Sequence, residues 1–566
     1  MSNDKIKVQS SSKMQMEGCV PWPEEFAEEY KKKGYWEGIP IGDHIDQWIE
    51  HYADRPAIGC QGKEITFRQM GEYITRLAFH MSQMGIKTYD RVIFQLFNGP
   101  EVLYLIYACF KLGAIPVCSL ATHRWAEISF FAKTAEARMH AIPAGVVQDF
   151  DYEAFADEIR KEVPTMKFVL TVGKPSRPDM VSINDLIEKE IDLEQAKKEL
   201  ATFRPNPMEP AVFQLSGGTT GVPKIIPRTH NDYYYNAKCC AVRYNFNENT
   251  RFIAPLPNTH NAPLSCMIMP VHLAGGMVVS VAPKPEEIIQ EIALNKVNYM
   301  AAGGFLVRPV QSLPPEQVRQ LFGSVKKLWT AAIKPEALQS LREILHCESH
   351  QTFGMAEGLI TGTKAEDPLP VKLTTQGRGV SEADEIKIID PETLKELPQG
   401  ETGEMICRGP YTIRGYYKAE ERNKDAFTPE GFYRSGDLGK LDEQGNFIWS
   451  GRIKDCIDRG GEKVNAEEVE IHIRAFPKVL DVAVVAMPDK RLGENICAYV
   501  IPKPGEMFTL EELRDFLLKE RRIAKFKAPE QMEFINELPV THIGKLDKKA
   551  LRAMISEKIK AEQAPK

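Results

Sequence analysis

No apolar run in the 566 residues approaches the roughly 18 that a membrane helix needs. The opening Met1-Ser2-Asn3-Asp4-Lys5 leads into polar residues and not into the apolar core of a secretory signal. A cytoplasmic protein with no membrane insertion is the expectation. Basic excess is lacking as well: 72 Lys and Arg stand against 78 Asp and Glu, a net charge of −6, which argues against a nucleic-acid partner. The 11 cysteines contain no Cys-x-x-Cys pair, and adjacent Cys239-Cys240 suits neither metal ligation nor a disulfide framework. Reduced core cysteines are expected. Internal repeats and low-complexity tracts are absent too.

What is present reads as globular. With 43% hydrophobic and 27% charged residues, the chain can bury more than one core and should divide into at least two domains. Helix-period and short apolar segments alternate, as in a layered α/β domain. Val102, Leu105, Ile106, Cys109 and Leu112 follow helical spacing, Gly113 can cap the end, and Ala114–Val117 enters a strand. Met277–Val281 as strand, a helix from Pro285 to Leu294 and Val297–Met300 as strand repeat the rhythm. Near Gly451 the texture turns to charge and glycine. The expected boundary divides a large domain, residues 1–453, from a small α+β domain, residues 454–566. In the latter, Val482–Ala486 and Ile496–Val500 read as strands, and Thr509-Leu510-Glu511-Glu512 opens a helix with a capping box.

The first stretch that carries chemistry is Leu215-Ser216-Gly217-Gly218-Thr219-Thr220-Gly221-Val222-Pro223-Lys224. Its glycines can turn backbone N–H groups toward one point, its hydroxyls add donors and Lys224 adds a cation, a set suited to a polyphosphate. It is not a Walker A loop, because Val222-Pro223 separate the last glycine from the lysine. Alone, it could equally be a plain glycine-rich turn.

Further stretches follow in order: Phe353-Gly354-Met355-Ala356-Glu357, Gly403-Glu404, Gly415-Tyr416-Tyr417, Tyr433-Arg434-Ser435-Gly436-Asp437, Gly451-Arg452-Ile453-Lys454-Asp455, Gly460-Gly461-Glu462-Lys463-Val464 and Pro539-Val540-Thr541-His542-Ile543-Gly544-Lys545. Together with the glycine-rich loop, this series resembles the signature set of the acyl- and aryl-adenylate-forming (AMP-binding) superfamily over nearly the whole chain. Ile413–Glu421 and Arg459–Lys463 resemble in particular the stand-alone 2,3-dihydroxybenzoate–AMP ligases of siderophore assembly.

The resemblance implies an α/β fold, with a large layered α/β N-terminal domain and a small mobile α+β C-terminal domain. It implies ATP and Mg²⁺ as cofactors, a small carboxylic acid as substrate, and coenzyme A or a phosphopantetheinylated carrier protein as partner. Ser216, Gly217, Gly218, Thr219, Thr220, Gly221 and Lys224 would cradle the phosphates. Phe353 would stack on adenine beside Gly354, Met355 and Ala356, while Glu357 would hold Mg²⁺ as a hard oxygen ligand. Asp437 would accept both ribose hydroxyls and Arg452 would reinforce it. Lys545 would span carboxylate and phosphate oxygens as charge builds at the α-phosphorus. His260, implied to be catalytic, would line the acid site with Asn261, Ala262, Ser265, Cys266 and Thr352. Lys454 matches the family hinge, about which rotation would withdraw Lys545 and bring Gly460, Gly461 and Lys463 into a tunnel for the thiol. Each residue also has a plainer reading: a solvated acid for Glu357, a turn residue for Asp437, a core aromatic for Phe353, and exposed charges for Lys454 and Lys545.

Four positions depart from the pattern. Ala331-Ala332-Ile333-Lys334 stands where dihydroxybenzoate ligases carry Gly-Gly-Ala before a lysine; Ala262 replaces an aromatic, Cys266 a serine and Thr352 a valine. The expected substrate is therefore a single-ring acid, aromatic or alicyclic, with little dependence on ring hydroxyls. A 2,3-dihydroxybenzoate or salicylate–AMP ligase is the alternative, and a luciferase-type oxygenase also uses an adenylate. A non-catalytic nucleotide-binding relative is disfavoured by Lys224, Glu357, Asp437, Arg452 and Lys545 together.

Overall fold

The computed structural model describes residues 14–216, 224–281, 284–303, 309–331, 333, 335–459, 462–521, 523–541 and 546–563. The chain forms two compact units, residues 1–385 with 407–433 and residues 386–406 with 434–566. Among the described residues no helix is long and apolar enough to cross a membrane.

Two sheets build the first unit. In one, the strands Pro56–Cys60, Met277–Val279, Arg251–Ile253, Tyr299–Ala302, Lys327–Ala331 and Glu348–Met355 lie side by side and parallel, with antiparallel strands at the edges. In the other, Pro210–Ser216, Ile115–Val117, Arg91–Phe94, Met139–Pro143 and Phe168–Val172 are parallel neighbours, and Lys224–Thr229 closes one edge antiparallel. Parallel strands need crossovers, and the expected helices supply them. Pro100–Leu112 is a helix buried on nearly every side, as its apolar composition requires, and Gly113 ends it in the left-handed region. Pro285–Leu294 is helical as read. The following strand starts at Tyr299 instead of Val297, whose N–H is still bonded to the Ile292 carbonyl of the preceding helix at 3.0 Å.

The second unit explains an apolar run that lacks strand alternation. Val479–Asp489 pairs antiparallel with Gly493–Pro502. Val482 and Val484 pack with Val469 and Ile473 of the helix Ala466–Arg474, whereas Ala483, Val485 and Met487 pack with Leu551 and Ile555 of the helix Lys548–Gln563. A strand covered on both faces needs apolar residues at every position. Thr509 and Glu512 form the expected capping box.

The core of the first unit holds neutral histidines. His272 donates through Nε2 to the Ala57 carbonyl at 3.0 Å and its Nδ1 accepts from the Tyr107 hydroxyl at 2.7 Å, a pairing that needs the uncharged ring. Burial pushes His272 and His44 down to about 4, and His140 and His230 to about 3, from an ordinary 6.5. Their contribution to stability is complete above pH 6.5 and is lost as the pH falls toward 4 and then 3. Asp384 runs the other way: burial raises it from 3.8 to about 7, so its neutral form favours folding at low pH and that gain fades as the pH rises toward 7. The four histidines outweigh it. Lowering the pH from 7 to 5 is expected to cost about 2 kcal/mol or more, read as a fall in the urea midpoint.

Candidate active site

Glu357 sits on a three-residue turn between the strands Glu348–Met355 and Leu359–Gly362, which pair as Met355 with Leu359. Gly358 completes the turn at φ +99°, and a Cβ there would overlap the Tyr411 carbonyl oxygen, so only glycine closes it. The Glu357 side chain is buried, and its Oε1 accepts from the Tyr416 hydroxyl at 2.8 Å. That hydroxyl lies 2.9 Å from the Tyr433 hydroxyl and accepts from Lys224 Nζ at 3.3 Å; the same ammonium stands 4.8 Å over the Tyr416 ring. Burial raises the Tyr416 phenol, which therefore stays a donor. The cluster thus joins Lys224 at the start of the strand Lys224–Thr229 to the Glu357 turn. Phe353 is half-buried on the strand before it, and Gly354 is exposed. Among the described residues no group of three or more His, Cys, Asp or Glu could hold a metal unaided. A lone buried carboxylate suits magnesium, which is bound through one or two carboxylates plus substrate phosphates and water.

Arg228, fully buried in the strand Lys224–Thr229, fixes this turn. Its Nη1 donates to the Ala356 carbonyl at 2.9 Å, its Nε to Asp232 at 2.7 Å and its Nη2 to Asn236 Oδ1 at 3.4 Å. Asp232 is also the N3 residue of a capping box with Thr229, at the start of the helix His230–Arg243. Sequence reasoning passed over the pair, although Arg-Thr-x-x-Asp before a helical run was a readable capping signal.

That helix packs against the predicted acid-binding segment. Asn236, Cys240 and Tyr244 lie on one face at spacings of four, next to a π-helical turn, Leu264–Ile268. Ser265 donates to the Asn261 carbonyl at 2.8 Å, and Cys266 is buried beside it. The Thr352 hydroxyl is 2.8 Å from the Tyr244 hydroxyl. His260 caps the segment, its Nδ1 accepting from the Ala262 N–H at 3.4 Å. Asn261 Oδ1 is buried with no hydrogen-bond partner among the described residues. Asn236, Cys240 and Tyr244 were not singled out from the sequence, though their periodicity marks one helix face.

In the second unit Asp437 lies on the strand Tyr433–Leu441, in register with Arg452 on Phe447–Arg452. Its buried carboxylate accepts at Oδ1 from the Trp449 indole at 3.0 Å and from Arg452 Nε at 3.3 Å. Glu404, quoted in the sequence without a role, is buried, pairs with Arg434 at 2.6 Å and accepts from the Gly436 N–H at 3.2 Å, which shapes the turn before Asp437. Lys454 lies in a 3₁₀ turn, Ile453–Asp455, and is exposed as a residue. Partial desolvation of its ammonium and then the Arg452 cation push it down to about 8. Asp455 is tied to Arg552 at 3.0 Å.

Several predicted residues fall outside the described ones: Gly217, Gly218, Thr219, Thr220, Gly221, Gly460, Gly461 and Lys545, with Ala332 and Lys334 of the adenine wall. Ser216 and Lys463 are described as strand residues only.

The profile of the AMP-binding enzyme family matches residues 45–417, and that of the AMP-binding enzyme C-terminal domain matches residues 468–545. The chain belongs to the AMP-binding enzyme family. It is 40% identical to a 2,3-dihydroxybenzoate-AMP ligase of Bacillus subtilis (strain 168), covering 96% of this chain and 99% of that protein. It is 38% identical to a salicylyl-CoA synthase / salicylate adenylyltransferase of Streptomyces sp, covering 97% and 100%. The apo structure of Mycobacterium smegmatis MbtA superposes with a TM-score of 0.69 at 32% identity, over 95% of this chain and 98% of that one. The protein is an ATP-dependent, AMP-forming ligase with the α/β fold of the acyl-adenylate-forming enzymes and a separate C-terminal domain.

In this AMP-binding enzyme Arg228→Met is expected to lower stability by roughly 3–5 kcal/mol, the scale of leaving one member of a buried ion pair uncompensated. Chemical denaturation measures it, and Arg228→Lys should recover only part of the loss because an ammonium cannot reach three acceptors in one plane.

Proposed function

We propose that the enzyme adenylates a single-ring carboxylic acid, aromatic or alicyclic, and passes the acyl group to a phosphopantetheine thiol of coenzyme A or a carrier protein. The observation that carries this reading is the state of the polar atoms around Asn261. Ser265 donates to a backbone carbonyl, Thr352 is bonded to Tyr244, and Cys266 offers only a weak donor, whereas Asn261 Oδ1 lacks a partner. The Asn261 amide can hold the carboxylate or an ortho substituent of a compact acid. 2,3-Dihydroxybenzoate and salicylate, named for the two relatives, both carry an ortho hydroxyl, which supports an aryl acid. Ala262 is partly buried and packed against the core, with a smaller side chain than the aromatic that the resemblance leads one to expect.

In the first half-reaction a carboxylate oxygen attacks the α-phosphorus of ATP, and the bond to the bridging oxygen breaks as pyrophosphate leaves. In the second, the thiol sulfur attacks the acyl carbon, its proton passes to solvent, and the carbon–oxygen bond to AMP breaks. Lys224 and the glycine-rich loop hold the phosphates, and Glu357, oriented by Tyr416, holds Mg²⁺. Magnesium, when bound, offsets charge on the phosphate oxygens. Phe353 stacks on adenine, Asp437 accepts the ribose hydroxyls with Arg452 beside it, and Lys545 bridges carboxylate and α-phosphate oxygens. His260 and Asn261 hold the acid, Lys454 is the hinge, and Gly460, Gly461 and Lys463 line the path of the thiol.

Two measurements test the scheme. Lys545→Ala is expected to slow ATP–pyrophosphate exchange by on the order of a hundredfold or more, while thioester formation from presynthesised acyl-adenylate persists; equal loss in both steps would exclude a role confined to adenylation. For the acid, kcat/KM across benzoate, cyclohexanecarboxylate, a cyclohexene carboxylate, salicylate and 2,3-dihydroxybenzoate should show no preference above about a hundredfold for the dihydroxylated acid, since sites built to read a hydroxyl discriminate by roughly 10⁴ or more.

A further inference from the structure

The loop that carries Tyr416 is gripped from both sides, and one grip comes from the beginning of the chain. Gln15 and Met16 donate backbone N–H groups to the Glu209 carboxylate, the second at 3.1 Å. Glu209 is buried and immediately precedes Pro210–Ser216, the strand that leads into the glycine-rich loop. The Gly18 carbonyl then accepts from the Lys418 N–H at 2.8 Å. Val20 lies so close to Gly415 that a Cβ at that position would run into it. The Arg414 guanidinium stands 5.6 Å from the Trp22 ring and 5.4 Å from the Phe26 ring. Trp36 donates to the Pro410 carbonyl at 2.9 Å. Trp22, Tyr30 and Trp36 pack edge to face with centroids 4.9–5.9 Å apart, which closes the segment on itself.

On its other side the same loop touches the Glu357 turn. The Ile413 N–H donates to the Glu357 carbonyl at 2.8 Å, the Thr412 hydroxyl to the Gly358 carbonyl at 2.6 Å, and the Tyr416 hydroxyl to the Glu357 carboxylate at 2.8 Å. Surface loops are ordinarily the mobile parts of a fold, while a catalytic group must be held to within about 0.5 Å. Here polar contacts hold the loop 410–418 on both sides.

We propose that residues 15–36 act as a positioning clasp for the Glu357–Tyr416 pair. By holding the loop 410–418 from outside, the clasp fixes the direction of the Glu357 carboxylate toward the magnesium ion that ATP brings. Its residues touch neither substrate nor reacting atoms. The proposal rests on Glu357 as the ligand of MgATP.

The test uses the full-length enzyme and two substitutions of one residue. Trp22→Ala removes the face under Arg414 and the edge contacts to Tyr30 and Trp36; Trp22→Phe keeps an aromatic ring. Calorimetry compares ATP with and without magnesium, and hydrogen exchange follows the amides of residues 410–418. Trp22→Ala is expected to weaken MgATP by about tenfold, change magnesium-free ATP by no more than about twofold, and speed exchange at Ile413 and Lys418, with Trp22→Phe close to the parent. Equal weakening of both nucleotide forms, or unchanged exchange across 410–418, would overturn the clasp. If Trp22→Ala does not fold, Val20→Ala, which trims only the methyl groups against Gly415, is read by the same criteria. Absence of any magnesium-dependent gain in the parent enzyme would instead sink the Glu357 reading, and the exchange arm would still decide whether the clasp holds the loop.

Discussion

A single guanidinium organises the first unit. Arg228 is fully buried, and its three donor groups reach the Asp232 carboxylate, the Asn236 amide and the Ala356 carbonyl. These belong to the cap of one helix, the face that backs the segment from His260 to Ile268 and the turn that presents Glu357. Taking such an ion pair out of water costs several kcal/mol per ion before the attraction is counted. An apolar pair could supply equal stability, but it could not fix three polar groups at set distances from one strand. The cost is offset by Thr229, whose hydroxyl and N–H satisfy Asp232 further. The turn of Glu357 and the helix beside Leu264–Ile268 are thereby tied to the same side chain.

How much of this was legible beforehand depends on the range of the contacts. Helix periods are local, so Pro100–Leu112 and Pro285–Leu294 could be read from spacing, and two strands of the second unit from their short apolar runs. Glu357, Asp437 and Arg452 stood in short stretches that resemble the signatures of the adenylate-forming superfamily. What escaped reading were partners brought together from afar. Tyr416 and Glu357 are 59 positions apart, and Arg228 and Ala356 are 128 apart; no period or pair spacing links them. Residues 14–18 belonged to a stretch that reads as a polar leader, yet their backbone is engaged by Glu209 and Lys418. Composition describes side chains, and here the main chain makes the contacts.

The second unit shows the same economy with different parts. Glu404 closes the turn at Gly436 and holds Arg434, so the buried Asp437 carboxylate starts from a fixed backbone. Trp449 and Arg452 both donate to Asp437 Oδ1 from the neighbouring strand. An aromatic N–H and a guanidinium together orient the acid. Glu404 stood in a signature stretch with no role attached to it, and Trp449 in none; their contacts come from how the strands lie together.

The π-helical turn Leu264–Ile268 has a practical bearing on redesign. A π-turn takes one more residue per hydrogen-bonded loop than an α-helix, so side chains beyond it are rotated relative to the regular pattern. Ser265 and Cys266 lie within that turn, and the Ser265 hydroxyl ties it to the Asn261 carbonyl just before it. Grafting a relative's specificity by exchanging single letters would keep this chain's backbone phase under another chain's side chains. The natural unit of exchange is the whole passage from His260 to Met269, moved together with the helix face formed by Asn236, Cys240 and Tyr244.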